Sequence, residues 1–150
     1  MNDLDPTDRR ILAELETNAR IAWAELGRRV GLTAPAVRQR VQRLERTGTI
    51  TGYHARLSPS AMGLPIDALI RIATTSHERQ LRLAAYVRER REIVECHNLT
   101  GEDSFACRVQ VASMPELDDI TTALSRFGRT TTSMVLGSPV ARRGLAGNAS

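Results

Sequence analysis

The spacing of apolar residues changes once along the chain, and that change limits the fold to helices first and a half-buried sheet second. Up to about residue 47 apolar positions recur at three and four, the period of a helix face; from Ile66 onward they alternate with polar residues. Ile11, Leu12 and Leu15 mark a first helix reaching about Thr17. Asp5-Pro6 starts it with a capping carboxylate and a proline pre-set for the first turn, and Leu4 stands ready as a hydrophobic staple. Trp23, Leu26 and Val30 predict a short second helix with all three facing the core, stopped by Gly31. Thr33 caps a third helix, with Pro35 in its first turn, Val37, Val41 and Leu44 as its buried stripe, and Thr47-Gly48 at its end. The β-branched and aromatic run over residues 50–57 predicts a strand leading out of this helical unit.

In the second half Ile66, Ala68, Ile70 and Ile72 predict a strand, and Leu83, Ala84 and Val87 a helix over about residues 78–91. A second strand follows over residues 93–99, and Phe105, Cys107, Val109 and Val111 alternate along a third. Ser113-Met114-Pro115-Glu116 is a capping-box pattern ahead of a stripe of Leu117, Ile120, Thr121, Leu124 and Phe127, and residues 130–136 form a closing strand. The order β-α-β-β-α-β is the ferredoxin-like split arrangement, so the class is α+β: an N-terminal (winged) helix-turn-helix domain followed by a ferredoxin-like domain. Both helices lie on one side of such a sheet, and its open face calls for a cover, most economically a second copy of the chain. Ser58-Pro59-Ser60 and Gly63-Leu64-Pro65 punctuate the join. The expected domains are therefore residues 1–60 and 61–140, with residues 141–150 a disordered tail.

Function classes narrow quickly. A chain of 150 residues holds one ordinary domain or two small ones. It has no apolar run long enough to span a membrane, and Met1-Asn2-Asp3-Leu4-Asp5 is acidic where a signal peptide is basic, so the expected place is the cytoplasm. Cys96 and Cys107 form no metal or disulfide pattern and are expected to be ordinary buried thiols. His54 and His77 lack ligand-spaced partners, and His97 alternates with Cys96 to the opposite face of a strand, which separates a nucleophile from a base. Paired carboxylates, a triad and a phosphate loop are all missing from the pattern. No catalytic residue, metal or cofactor is expected, and the chain does not read as an enzyme.

Charge points elsewhere. All 21 basic residues counted with lysine are arginine, and between residues 26 and 60 seven arginines face a single glutamate, a local +6 in a chain of net +4. A basic segment on a slightly acidic body is the footprint of a nucleic-acid-binding module. The stripe of the third helix leaves Pro35, Gln39, Gln42 and Arg46 outward, flanked by Ala36, Arg38 and Arg43. Arginine and glutamine carry the forked donors and acceptors that pair with guanine and adenine edges, and a helix beginning at Thr33-Ala34 after a tight turn suits entry into a major groove. Thr33, Ala34, Pro35, Ala36, Arg38, Gln39, Gln42, Arg43 and Arg46 are the expected contacts to double-stranded DNA.

Several stretches share one resemblance: Leu4-Asp5-Pro6-Thr7-Asp8-Arg9-Arg10-Ile11-Leu12, Ala19-Arg20-Ile21, Leu26-Gly27-Arg28-Arg29-Val30-Gly31-Leu32, Val37-Arg38-Gln39-Arg40-Val41-Gln42-Arg43-Leu44-Glu45 and Gly48-Thr49-Ile50-Thr51-Gly52-Tyr53. Together with Thr100-Gly101-Glu102-Asp103 they make the chain, over roughly residues 3–140, resemble the leucine-responsive regulatory protein/AsnC family. The resemblance implies a transcriptional regulator whose C-terminal domains pair into a homodimer and assemble further, often to octamers. It also implies a small-molecule effector, usually an amino acid, near the loop from Gly101 to Phe105. Thr100, Gly101, Glu102, Asp103 and Ser104 are the expected effector residues: loop amides can hold a carboxylate and an acidic side chain an ammonium group. Ser104 stands where many members carry an aspartate, with the acid at Asp103, and Ala22 stands where a serine or threonine often caps the second helix. The alternative reading is an architectural protein of the same fold that bends DNA and ignores small molecules.

Overall fold

The computed structural model describes residues 4–140 and 144–146. They divide into two compact units: one ends at Ala55 and takes in the described residues from Val140 on, and the other is Arg56–Pro139. The division falls a few residues before the Ser58-Pro59-Ser60 punctuation.

The first unit is three helices, α1 (Pro6–Thr17), α2 (Trp23–Val30) and α3 (Ala34–Arg46). Their ends follow the capping chemistry. Asp5 accepts the Asp8 amide at 2.7 Å, Thr33 accepts the Ala36 amide at 3.4 Å, and Gly31 closes α2 with φ +77°. Ala22 begins α2 with no side-chain hydrogen bond. Ile11, Leu15, Leu26, Val30, Val37, Val41 and Leu44 make the core, with Leu4, Leu12, Ile21, Leu32 and Ile50 packed around it. Gly27 sits buried within α2, where a Cβ would stand 2.5 Å from the Leu32 carbonyl oxygen, so α2 and the turn that leads into α3 approach at glycine distance.

Two expectations for this unit are corrected. Residues 51–57 carry no strand: the segment is mostly exposed, and a strand needs a hydrogen-bonding neighbour that β-branched composition alone does not supply. Trp23 is 40% exposed and outside the core. It is the first residue of α2, so although it shares a direction with Leu26 and Val30 it lies beyond the axial reach of the core they build. The disordered tail expected for residues 141–150 lies largely outside the described residues. Of it, residues 144–146 are described, and Leu145 and Ala146 donate their amides to the Glu16 carboxylate.

The second unit follows the expected order: β1 (Ile66–Thr74), α4 (His77–Arg88), β2 (Ile93–Asn98), β3 (Phe105–Val111), α5 (Met114–Ser125) and β4 (Gly128–Met134). The sheet is antiparallel in the order β2-β3-β1-β4, with β2 and β4 at its edges. Ala68, Ile70 and Ile72 of β1 and Phe105, Cys107, Val109 and Val111 of β3 are buried on one face with Leu83 of α4 and Leu117, Ile120 and Leu124 of α5. Ser76 and Ser113 cap the helices, and Glu116 reaches back to the Ala112 amide at 3.1 Å. The other sheet face carries Leu69 and Arg71 among polar neighbours, and Asp67 receives a bidentate grip from Arg108 at 2.6–3.2 Å.

Candidate nucleic-acid interface and effector loop

Four arginines of the helical unit, Arg28, Arg29, Arg40 and Arg43, are held by carboxylates. Arg40 donates to Asp5 and, at 2.9 Å, to Asp8; Arg43 donates to the other Asp8 oxygen. Asp8 is fully buried, so these bonds tie α3 to the start of α1 and supply the partners a buried carboxylate requires. The contact with Arg40 holds the Asp5 carboxyl below its ordinary pKa. Arg28 grips Glu25, and Arg29 bridges Glu25 and Glu14 at 2.7–2.8 Å. Hydrogen bonds from Arg28 and then Arg29 lower the Glu25 pKa to about 2.

Arg38, Gln39, Gln42 and Arg46 are different. All four are exposed and make no side-chain hydrogen bond or ion pair with any described residue. A shallow groove of about 560 Å³ runs along this face, lined by Arg38, Gln39, Gln42, Ala34, Pro35 and Trp23. Thr33 is exposed at the helix start and Ala36 half-buried. The expected set is thus brought together with two changes. Arg43, expected as a DNA contact, donates to Asp8 on the α1 side while its side chain stays 47% exposed. Trp23, expected in the core, lines the groove; the one sequence signal for that was its position at the very start of a helix.

In the sheet unit the loop between β2 and β3 closes with Leu99 donating to the Ser104 carbonyl at 2.8 Å. Gly101 has φ +112° with open space where a Cβ would stand, a conformation that favours glycine and leaves the backbone approachable. Thr100, Gly101 and Glu102 are exposed, and Asp103 and Ser104 half-buried. Ser104 is fully engaged: its amide donates to the Ile72 carbonyl at 2.8 Å, and its hydroxyl accepts from the Thr74 amide at 3.1 Å and lies 2.9 Å from the Thr74 hydroxyl. The Ser104 amide is therefore not a free donor for a ligand carboxylate. Asp103 faces Arg71 of β1 at 3.7 Å, a partly exposed guanidinium that sequence reasoning overlooked because it lies about thirty residues away on another strand. Asp103 and Arg71 together offer opposite charges side by side, which suits an ammonium and a carboxylate on one small molecule.

Among the described residues no group of histidine, cysteine and acidic side chains could hold a metal ion, and no helix is long and apolar enough to cross a membrane.

Known proteins align with both units. The AsnC-type helix-turn-helix domain matches residues 4–45, and the Lrp/AsnC ligand binding domain matches residues 67–145. The HTH-type transcriptional regulator LrpA of Mycobacterium tuberculosis is 36% identical over 121 residues, 80% of this chain and 81% of that protein. The proline dehydrogenase transcriptional activator of Rhodobacter capsulatus is 40% identical over 119 residues, 77% of each chain. Among solved structures, a transcriptional regulator of Neisseria meningitidis in complex with L-methionine is similar with a TM-score of 0.88 and 31% identity, covering 95% of this chain and 96% of that one. With a helix-turn-helix unit, a four-stranded ligand-binding unit and relatives that are regulators instead of enzymes, the chain belongs to the Lrp/AsnC family of transcriptional regulators.

Proposed function

We propose that this regulator acts in the cytoplasm by binding specific double-stranded DNA sequences through α3, under the control of an amino acid bound at the loop of residues 100–104. Residues 1–60 serve as the DNA-binding domain and 61–140 as the effector and dimerisation domain. The observation that carries the DNA reading is the unpaired state of Arg38, Gln39, Gln42 and Arg46 on one exposed face of α3, whereas Arg40 and Arg43 of the same helix, and Arg28 and Arg29 of α2, are committed to carboxylates. Arg38, Gln39 and Gln42 read base edges in the major groove. Thr33, Ala34, Pro35 and Ala36 set the helix start against the backbone, and Arg46 takes a phosphate. Arg43 acts on DNA through its hold on Asp8.

The relative solved with L-methionine supports an amino-acid effector, and the Asp103–Arg71 pair supplies the matching charges. A homodimer assembling further, to an octamer, would present paired α3 helices to a pseudo-palindromic site. Selection from a random duplex library tests the reading: a defined site should emerge. At fixed salt, Arg38→Ala or Gln39→Ala should each weaken that site about 5- to 150-fold while leaving random DNA nearly unchanged. Emergence of no site would overturn sequence specificity. For the effector, one amino acid among the twenty should raise the melting temperature, and Asp103→Ala should remove the shift; a flat screen would remove amino acids from the reading. Light scattering on the eluting particle reads the oligomer directly.

A further inference from the structure

Cys96 on β2 and Cys107 on β3 are register partners in the sheet, and their sulfur atoms lie 3.2 Å apart. The hydrogen bond from Leu99 to Ser104 marks that pair as a hydrogen-bonding position. Alternation along the ladder then makes 97/106 hydrogen-bonding and 96/107 non-hydrogen-bonding, the kind of pair whose side chains approach most closely. In such pairs the Cα atoms stand about 4.5 Å apart, at the short end of the range a disulfide spans, about 4.4–6.8 Å. Both cysteines are free thiols. Their surroundings differ: Cys107 is buried in the core, whereas Cys96 is half-buried and opens on a cleft of about 510 Å³ lined also by Leu81, Ala84, Val87, Arg88 and Phe105.

We infer that Cys96 and Cys107 form a modification site that a hydroperoxide closes to an intrachain cross-strand disulfide. Cys96, reached through the cleft, is the attacking sulfur. It takes one oxygen of the hydroperoxide, the O–O bond breaks, the other oxygen leaves with the Cys96 proton as an alcohol, or as water where the oxidant is hydrogen peroxide, and Cys96 becomes a sulfenic acid. The Cys107 sulfur then attacks Cys96; the S–S bond forms, the S–O bond breaks, and hydroxide departs with the Cys107 proton as water. Two electrons pass from the thiol pair to the peroxide, and nothing else is consumed. The hydrogen bond from Cys107 lowers the Cys96 pKa, and that same bond, followed by burial, raises the pKa of Cys107, which agrees with these roles. Thiol–disulfide exchange returns the bridge to two thiols, so the change is reversible. It would staple β2, an edge strand paired only with β3, three residues before the loop that begins at Leu99.

The test uses the full chain, reduced, freed of reductant, exposed to a few equivalents of hydrogen peroxide, then unfolded in excess N-ethylmaleimide and weighed intact. The expected product is lighter by two hydrogens before alkylation, carries no maleimide, runs as a single chain on a non-reducing gel, and recovers two maleimides after dithiothreitol. Cys107→Ala should leave Cys96 as a sulfenic acid trapped by dimedone, and in Cys96→Ala oxidation of the remaining thiol should slow by about tenfold or more. Two maleimides on the treated wild-type chain would overturn the inference. So would a bridge found only between chains, or oxidation that stops at unlinked sulfinic acid.

Discussion

The two units solve the same problem, holding helices in place, by different means. In the sheet unit the core is apolar throughout, and the backbone ladders of β2 with β3, β3 with β1 and β1 with β4 set every strand against its neighbour. The three-helix unit has no ladder, and it places a buried carboxylate at the α1–α3 crossing, with Arg40 and Arg43 closing on it. Apolar contact between helices is non-directional, whereas a carboxylate with two guanidinium partners accepts one geometry. The helices of the first unit are therefore set by polar specificity, whereas the helices of the sheet unit rest on an apolar core.

The sharpest way to break this contrast is to strip the partners and keep the buried charge. Only Asp8 is fully enclosed, since the Arg40 and Arg43 side chains stay 32% and 47% exposed. Arg40→Met with Arg43→Met keeps the stems and leaves a carboxylate buried alone, at a cost of about 3–5 kcal/mol. Asp8→Asn should cost less, because the freed arginines can rehydrate. The single tryptophan, Trp23, lies in the helical unit, so its fluorescence during urea unfolding follows that unit specifically. Equal losses for the two changes would show that the carboxylate is not the costly member.

A second variant sharpens the comparison by touching shape without charge. Gly27→Ala puts a methyl group 2.5 Å from the Leu32 carbonyl oxygen, and since that oxygen is backbone, α2 and α3 must move apart. The expected loss is about 1–3 kcal/mol. Because α3 moves, affinity for a selected DNA site should fall by more than the lost stability explains. A variant as stable as the parent, with unchanged affinity, would remove the tight turn from the account.

What was legible in the sequence follows the same divide between local and distant causes. The caps at Asp5, Thr33 and Ser113, the stop at Gly31 and the alternation along β1 and β3 are local signals, and each element stands where they put it. Of the candidate reading face, Arg38, Gln39, Gln42 and Arg46 were visible from helical periodicity. The bond from Arg43 to Asp8, 35 residues away, and the approach of Arg71 to Asp103 were not legible, because neither pair is close in the sequence. Trp23 failed differently: a helical wheel gives direction around the axis, not distance along it. The Cys96–Cys107 pairing depends on a register that shifts at an irregularity between Ile93 and Glu95, which no pattern in the chain announces.

Helix capping offers a smaller effect in the opposite direction. Both helices of the sheet unit begin with a serine hydroxyl on a backbone amide, as α1 and α3 begin with Asp5 and Thr33, whereas α2 begins at Ala22 with nothing. Ala22→Ser supplies the missing acceptor and should stabilise the helical unit by about 1 kcal/mol, seen as a later tryptophan transition. No gain would mean that the Ala22 geometry, φ −67° and ψ 143°, does not aim a side chain at the open amides.

The smallest effect concerns Tyr53, whose hydroxyl donates to Glu45 near the end of α3 at 2.8 Å. Partial burial and then the Glu45 carboxylate push its pKa up to about 12 from 10.0. A phenol whose folded pKa is raised favours the folded state while protonated. Its contribution is complete below pH 10 and is lost as pH rises toward 12. Subtracting the phenolate absorbance of Tyr53→Phe from that of the parent isolates this group and should show ionisation centred near pH 12. Glu45→Gln removes the charge and keeps an acceptor, so the same difference should move back toward 10 without reaching it, because the packing around the ring remains. A shift that vanished entirely would assign the whole effect to Glu45 and none of it to burial of the Tyr53 ring.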